Sequence, residues 1–267
     1  MPASVGSNPA AGTASRTNAL ACDSMPEGHT IHRLARDHTR DLAGRKVHAS
    51  SPQGRFSASA ALLDGRTLER ADAWGKHLFH RFDDGQVLHV HLGLIGKFRR
   101  HTAPVPDPVG LVRLRLEGEH VAWDLSGPNV CRVITPDEIV EVTSKLGPDP
   151  LRRGADPQRF LDKVRRSTKP IGTLLLDQTV VAGIGNVYRA EVLFRLGIHP
   201  STPGNQLTDD QLTALWAEVV AQLRDGLKRG RIAMSVYHHD VCNQCGGTLS
   251  PMRVANRRID VCSTCQR

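Results

Sequence analysis

The tightest constraint on this chain lies at its C-terminus, where Cys242-Asn-Gln-Cys245 is followed, after sixteen residues, by Cys262-Ser-Thr-Cys265. Each Cys-x-x-Cys forms a tight knuckle that presents two sulfurs to one point. Two knuckles complete a tetrahedron of thiolates around a zinc ion, at ~2.3 Å from each sulfur. The segment between them suits a β-hairpin, with Gly246-Gly247 and Asn256 as turn material. Four protein thiolates leave no open position for substrate, so the expectation is one structural zinc ion and no catalytic metal. Disulfides would need an oxidising compartment, and a redox pair would need only one Cys-x-x-Cys. Residues 1–24 show no continuous apolar stretch of the signal-peptide kind, and the chain reads as reduced and cytoplasmic.

Charge suggests what such a hairpin is for. The chain carries 35 Lys+Arg against 27 Asp+Glu, a net +8, and only seven of the basic residues are Lys. The guanidinium fork of the remaining Arg side chains matches phosphate geometry. From Leu227 onward, seven basic residues face only Asp240 and Asp260, and Arg257-Arg258 sits between the knuckles. A metal-stapled basic hairpin fits a polyanion, while a solvated basic face is the plainer alternative. No apolar run reaches the ~18 residues of a membrane span. A composition of 23% charged and 39% hydrophobic residues excludes wholesale disorder.

The rest of the chain divides by texture. Residues 1–24 are small and polar without periodicity, and are expected to form a disordered extension. Ile31, Leu34, Ala35 and Leu42 recur at helical spacing, with Gly44 as a stop. Short strands are predicted at 46–49, 56–63, 78–82, 87–92, 111–116 and 120–125, an antiparallel sandwich or barrel. Residues 136–157 read as a connection stiffened by Gly147-Pro148-Asp149-Pro150. Helices are predicted at 160–166, 172–177, 189–196 and 208–229, the last with Leu212, Leu215, Trp216, Val219, Val220 and Leu223 as its apolar stripe. The class is α+β. The expected division is an extension (1–24), an N-terminal β-sandwich with its flanking helix (25–135), a helical domain (136–230) and a zinc β-hairpin (231–267).

Five segments, in order, carry a family resemblance: MPEG at 25–28, GKHLF at 75–79, HLGLIGKFR at 91–99, LLLDQTVVAGIGNVYRAEVLF at 174–194, and the paired cysteine knuckles with their flanks at 242–266. The chain resembles the formamidopyrimidine-DNA glycosylase / endonuclease VIII family. The resemblance implies an N-terminal sandwich, a helix–two-turn–helix module, a zinc hairpin and damaged DNA, double- or single-stranded, in the cleft between the lobes. It implies base-excision repair by a bifunctional glycosylase and abasic-site lyase. The nucleophile would be Pro26, exposed as an N-terminal amine, with Glu27 as acid/base, Lys76 on a sandwich strand assisting elimination, and Arg257 of the hairpin at the phosphates flanking the lesion. His91, Asn186 and Lys145 match DNA-backbone contacts. Leu94 sits where the family places its intercalating side chain, although a core leucine is the equally simple reading. Lys76 could equally be a surface turn lysine.

Departures from the family pattern refine this. Ser126-Gly127-Pro128-Asn129-Val130-Cys131 stands where the guanine-lesion branch carries an Arg-and-Phe insertion loop, and Cys242 follows Gly230 by only twelve positions, too short for that branch's base-capping loop. Both features imply the endonuclease VIII branch and oxidised pyrimidines. Thr30 replaces a glutamate usual near the family's N-terminus. The extension is the largest departure: with residues before it, Pro26 is an amide whose lone pair is delocalised. Two readings follow: an enzyme whose functional start is Met25, or a non-catalytic damaged-DNA-binding protein blocked by its extension. A monomer is expected, without membrane association, cytoplasmic and with the nucleoid when on DNA.

Overall fold

The computed structural model describes residues 25–267, so the extension expected at 1–24 lies outside the described residues. Three residues from Met25 lead into helix α1 (Gly28–Leu42), which buries Ile31, Ala35 and Leu42 as their spacing predicts. Gly44, at φ +74°, turns the chain into β1 (Arg45–Ser50). Then follow α2 (Ser57–Leu63), β2 (Arg66–Trp74), β3 (His77–Phe82), β4 (Val87–His91), β5 (Lys97–Thr102), β6 (Val112–Glu117), β7 (Val121–Ser126) and β8 (Val130–Ile134). The strands are antiparallel in the order β5-β7-β6-β1-β2-β3-β4-β8. Strand β1 joins the two halves, because residues 45–47 pair with β2 and residues 48–50 with β6. The core between the layers takes Val47, Leu68, Leu78, Leu88, Leu116 and Leu125, and α1 closes one side of it.

The structure corrects the sequence expectations at several places. Residues 56–63, read as a strand, form α2, with Phe56, Ala60 and Leu63 buried at helical spacing. A short apolar run fits either period, and here packing against β1 selects the helix. Strands β2, β5 and β8 were not expected because charge interrupts their alternation. The latter two are the sheet edges, where Lys97, Arg99 and Arg132 discourage pairing with another chain. The connection at 136–157 begins with a helix, α3 (Pro136–Ser144), whose Thr135 and Glu138 make a reciprocal capping box. Pro136, a breaker mid-helix, is favoured at the first helical position.

The helical region holds α4 (Pro157–Arg165), α5 (Ile171–Leu174), α6 (Asn186–Arg195) and α7 (Asp209–Arg229). Helix α7 is capped by Thr208 and Gln211 at one end and by Gly230 in the left-handed region at the other. It buries Leu212, Leu215, Val219 and Leu223 against α6 and α4, and packs on α1. The hairpin β9 (Ser250–Val254) and β10 (Arg257–Val261) turns at Ala255 and Asn256, both at positive φ as a two-residue hairpin turn requires. Val254, Ile259, Val261, Cys242 and Cys262 belong to the same core as α6 and α7, so the hairpin is seated on the helices. No described helix is long and apolar enough to cross a membrane.

One buried pair makes the sandwich sensitive to acid. His38 of α1 and His80 of β3, both fully buried, share a 2.7 Å hydrogen bond beneath Phe98 and Trp123. Burial pushes both imidazoles down, His38 well below its usual 6.5 and His80 to about 4. An unfolded chain would protonate both near pH ~6.5, which the folded state resists. The pair's contribution is therefore complete above that pH and is lost as pH falls toward 4. The thermal unfolding midpoint should drop between about pH 7.5 and pH 5; a midpoint unchanged over that range would contradict this reading of the pair.

Candidate active site

Three glycines bring three distant segments together. The loop before α6 is braced by Gln178, whose side chain donates to the Ile184 carbonyl at 2.9 Å and accepts from Gly183 N–H at 2.9 Å. Gly183, at φ +97°, presents its carbonyl to Gly28 N–H at 2.8 Å. A Cβ on Gly28 would stand 3.0 Å from Gly183 Cα, and one on Gly75 would stand 3.0 Å from Gly183 N. Only bare backbone permits the start of α1, the β2–β3 turn and this loop to meet.

Glu27 lies at that junction, 1% exposed. Its carboxylate accepts from Gly185 N–H at 2.6 Å and from Val187 N–H at 2.9 Å. These are unpaired donors at the N-terminus of α6, where the helix dipole favours an anion. Burial nevertheless pushes the Glu27 carboxyl above its ordinary range, against the opposing pull of Lys76 and the backbone N–H groups of Val187, Gly185 and Tyr188. The group can hold a proton where an exposed glutamate would not, and the fixed donors stabilise the anion once that proton leaves. Pro26, half-buried, precedes it directly.

Lys76 occupies the two-residue turn between β2 and β3, rather than a strand, yet it is no free surface lysine. Burial lowers its ammonium, Glu27 raises it and Arg257 lowers it, so the three charges share one site. Asp149 fixes this turn. Its carboxylate, 2% exposed, accepts from Gly75 N–H at 2.7 Å and Leu151 N–H at 2.9 Å, and meets His32 Nε2 of α1 at 2.7 Å. The Gly147-Pro148-Asp149-Pro150 stretch, expected as part of a connection, is thus a buried strut under the site.

The remaining residues fall into two groups. Arg257, exposed at the start of β10, reaches Lys76 electrostatically, as does His91 at the end of β4. Asn186, the first residue of α6, donates from Nδ2 to the Arg258 carbonyl at 2.8 Å and accepts from Arg189 at 2.5 Å. It links helix to hairpin, with one amide hydrogen to spare. Leu94 is 56% exposed at the tip after β4, so it is not a core leucine, and Ile95 beside it is 79% exposed. Lys145 is exposed at the end of α3.

Two buried charges in α6 escaped the sequence reading. Arg189, fully buried, donates to the Gly172, Val254 and Arg258 carbonyls. Glu191 accepts from the N–H groups of Ser235, Val236 and Tyr237. Their signal was present: both interrupt the otherwise apolar run of residues 187–194 without breaking the helix.

The four cysteines converge, with all Sγ atoms within 4.8 Å of one another, Cys242 to Cys265 at 3.8 Å and Cys245 to Cys262 at 3.4 Å. A tetrahedron with ~2.3 Å Zn–S bonds has sulfur–sulfur edges of ~3.8 Å. The cluster fits a structural zinc finger.

Residues 25–129 match the formamidopyrimidine-DNA glycosylase N-terminal domain, and residues 146–238 match the formamidopyrimidine-DNA glycosylase H2TH domain. The chain is 44% identical to Endonuclease 8 1 of Mycobacterium tuberculosis, over 91% of this chain and all of that protein. The chain belongs to the formamidopyrimidine-DNA glycosylase / endonuclease VIII family. Among other members, the Lactococcus lactis formamidopyrimidine-DNA glycosylase is 27% identical over 91% of this chain and all of its own length. A complex of Lactococcus lactis formamidopyrimidine-DNA glycosylase with DNA containing N7-benzyl-Fapy-dG superposes with a TM-score of 0.81 at 26% identity, covering 91% of this chain and 100% of that one. A complex of that glycosylase with DNA containing an oxidised pyrimidine gives 0.79 over the same shares.

For this family member, metal removal gives a direct test. Chelation should release one zinc ion per chain, loosen the hairpin and lower DNA affinity, while the sandwich keeps its β-structure. Well-folded, DNA-binding protein holding substantially less than one zinc ion would contradict this.

Proposed function

We propose that this chain is an endonuclease VIII-like bifunctional DNA glycosylase and abasic-site lyase, acting in base-excision repair of oxidised bases. The observation that carries the reading is Glu27: a buried carboxyl, clamped by the α6 N-terminus, adjacent in sequence to Pro26 and facing Lys76, which Arg257 also reaches. In a chain beginning at Pro26, the proline is a secondary amine with a pKa near ~8, partly neutral at physiological pH. Its lone pair attacks sugar C1′ as the glycosidic bond breaks, and the base leaves with the bonding pair. Glu27 supplies the proton to the sugar ring oxygen or the departing group. The proline nitrogen loses its proton and its lone pair forms the C=N bond as the C1′–O4′ bond breaks to the protonated ring oxygen, giving an open-chain iminium that is permanently cationic and acidifies the 2′ proton. Its removal expels the 3′ phosphate by elimination, and the 5′ phosphate can follow.

In this reading Lys76, His91, Asn186 and Arg257 hold the phosphates flanking the lesion, Lys145 adds a peripheral contact, and Leu94 fills the gap left by the extruded base. Residues 25–135 carry the chemistry, 136–230 the helix–two-turn–helix grip, and 231–267 the zinc hairpin. The same chemistry requires an amine at Pro26. Protein beginning at Met25, with that Met removed, should form a borohydride-trapped adduct with abasic DNA. The intact chain from Met1, shielded from proteolysis, should bind without trapping. Equal incision by both forms would mean that another nucleophile acts.

The finer assignment within this reading is oxidised pyrimidines. Only a tight turn at Gly127-Pro128-Asn129 joins β7 to β8, and Glu191 pins the Ser235–Tyr237 backbone, leaving little slack between Gly230 and Cys242 for a base-capping loop. In single-turnover assays on matched duplexes, thymine glycol should be excised faster than 8-oxoguanine opposite cytosine; the reverse order would overturn this assignment.

A further inference from the structure

Beside Lys76, one face of the sheet carries an array of histidines, of which the reaction above uses only His91 and leaves His77 and His89 without a role. Strand register sets it: His77 of β3 lies opposite His91 of β4, Phe79 lies opposite His89, and His89 lies opposite Arg132 of β8. The rings of His77 and His89 stack at 5.1 Å and 27°, and those of His77 and His91 meet edge-on at 5.0 Å. His89 is 3% exposed, sealed under its neighbours.

The hydrogen bonds in this array have one consistent direction. Arg132 Nε approaches His89 Nδ1 at 3.5 Å, and a guanidinium can only donate, so His89 Nδ1 is the acceptor. In the neutral imidazole the proton then sits on His89 Nε2, which is 2.9 Å from His77 Nδ1. His77 Nδ1 is therefore an acceptor too, and the His77 proton is placed on Nε2. That atom has no partner among the described residues and is not among the sealed polar atoms, so it opens to solvent. His91 is fixed the same way by a different donor, Gly93 N–H to Nδ1 at 3.1 Å. Two register-paired imidazoles thus each present an Nε2–H, next to Lys76. Burial, with like charge from His91, His89, Arg132 and Lys76, pushes His77 down to about 3, so it stays neutral as a donor.

We propose that His77 is a further substrate-contacting residue, a neutral Nε2–H donor to a non-bridging oxygen of a DNA phosphate flanking the lesion, with Arg132 and His89 as the positioning residues that fix its tautomer. A neutral donor suits this place. It adds a directed bond to an anion that Lys76 and Arg257 already neutralise, without a further cation to lower the Lys76 ammonium. The inference rests on the DNA-lyase reading of the same site.

Equilibrium binding to a duplex with a tetrahydrofuran abasic analogue, measured as a function of salt, separates the two claims. His77→Ala should weaken binding by about tenfold or more while leaving the slope of log affinity against log salt unchanged, because no counterion-releasing charge is removed. Lys76→Ala should reduce that slope by about one. His77→Gln, which keeps an N–H donor, should recover part of the affinity. Nitrogen-15 NMR of the wild-type protein should show His77 protonated on Nε2, and Arg132→Leu should mix the tautomers and weaken binding. If the wild-type protein does not bind this duplex, the DNA-lyase reading itself fails. If it binds and His77→Ala binds equally well, or its salt slope falls by about one, the role of His77 is overturned. A His77 tautomer protonated on Nδ1 overturns it as well, whether or not the variants fold.

Discussion

Everything around the site depends on one buried carboxylate meeting one helix N-terminus. Glu27 belongs to the first described segment of the chain, whereas Gly185 and Val187, which donate to it, lie far along it in the helical region. A carboxylate taken out of water without partners would be strongly disfavoured. The α6 donors offset that penalty only if α1 and α6 hold a fixed separation. The Gly28–Gly183 hydrogen bond and the close glycine backbones enforce the spacing. The contact that stabilises this junction is therefore the contact that sets the Glu27 carboxyl beside Pro26. Stability and chemistry are coupled there, because adding a Cβ at Gly185 would overlap the Glu27 side chain.

A second set of buried charges carries this geometry outward to the hairpin. Arg189, fully buried, holds carbonyls of α5, β9 and β10, while Asn186 binds the Arg258 carbonyl next to Arg257. Glu191, two residues beyond Arg189 in α6, gathers the N–H groups of the segment leading to the first cysteine knuckle. One helix thus holds the Glu27 carboxylate at its start and the Arg257 hairpin along its length. On the sandwich side Asp149 does the corresponding work, joining α1 through His32 to the turn that carries Lys76. Unpairing one such charge would leave its partners desolvated and unsatisfied, a change that typically costs several kcal/mol.

Much of this was legible in the sequence, for identifiable reasons. The cysteine spacing, the stripe of α7 and the α1 periodicity are local patterns, and each survives in the fold. The resemblance placed Glu27, Lys76 and Arg257 in one site, and the structure brings them together. What escaped were features decided by distant partners. Residues 56–63 are a helix because of what they pack on, and β5 and β8 are edge strands whose charges mask their alternation. Asp149 looked like linker material because its partners, Gly75 and His32, lie more than seventy positions away. The His77–His89–Arg132 chain could not be read at all without strand register, since nothing in the sequence pairs β3, β4 and β8.

The central claim is that this junction exists to present the Pro26 nitrogen to sugar C1′, with Lys76 serving the phosphates. Mapping the covalent attachment tests it most directly. Protein beginning at Pro26 is reduced with borohydride on abasic DNA, digested, and the modified residue is located by tandem mass spectrometry. The account predicts the deoxyribose remnant on the Pro26 nitrogen alone. A remnant on the Lys76 amine would contradict it.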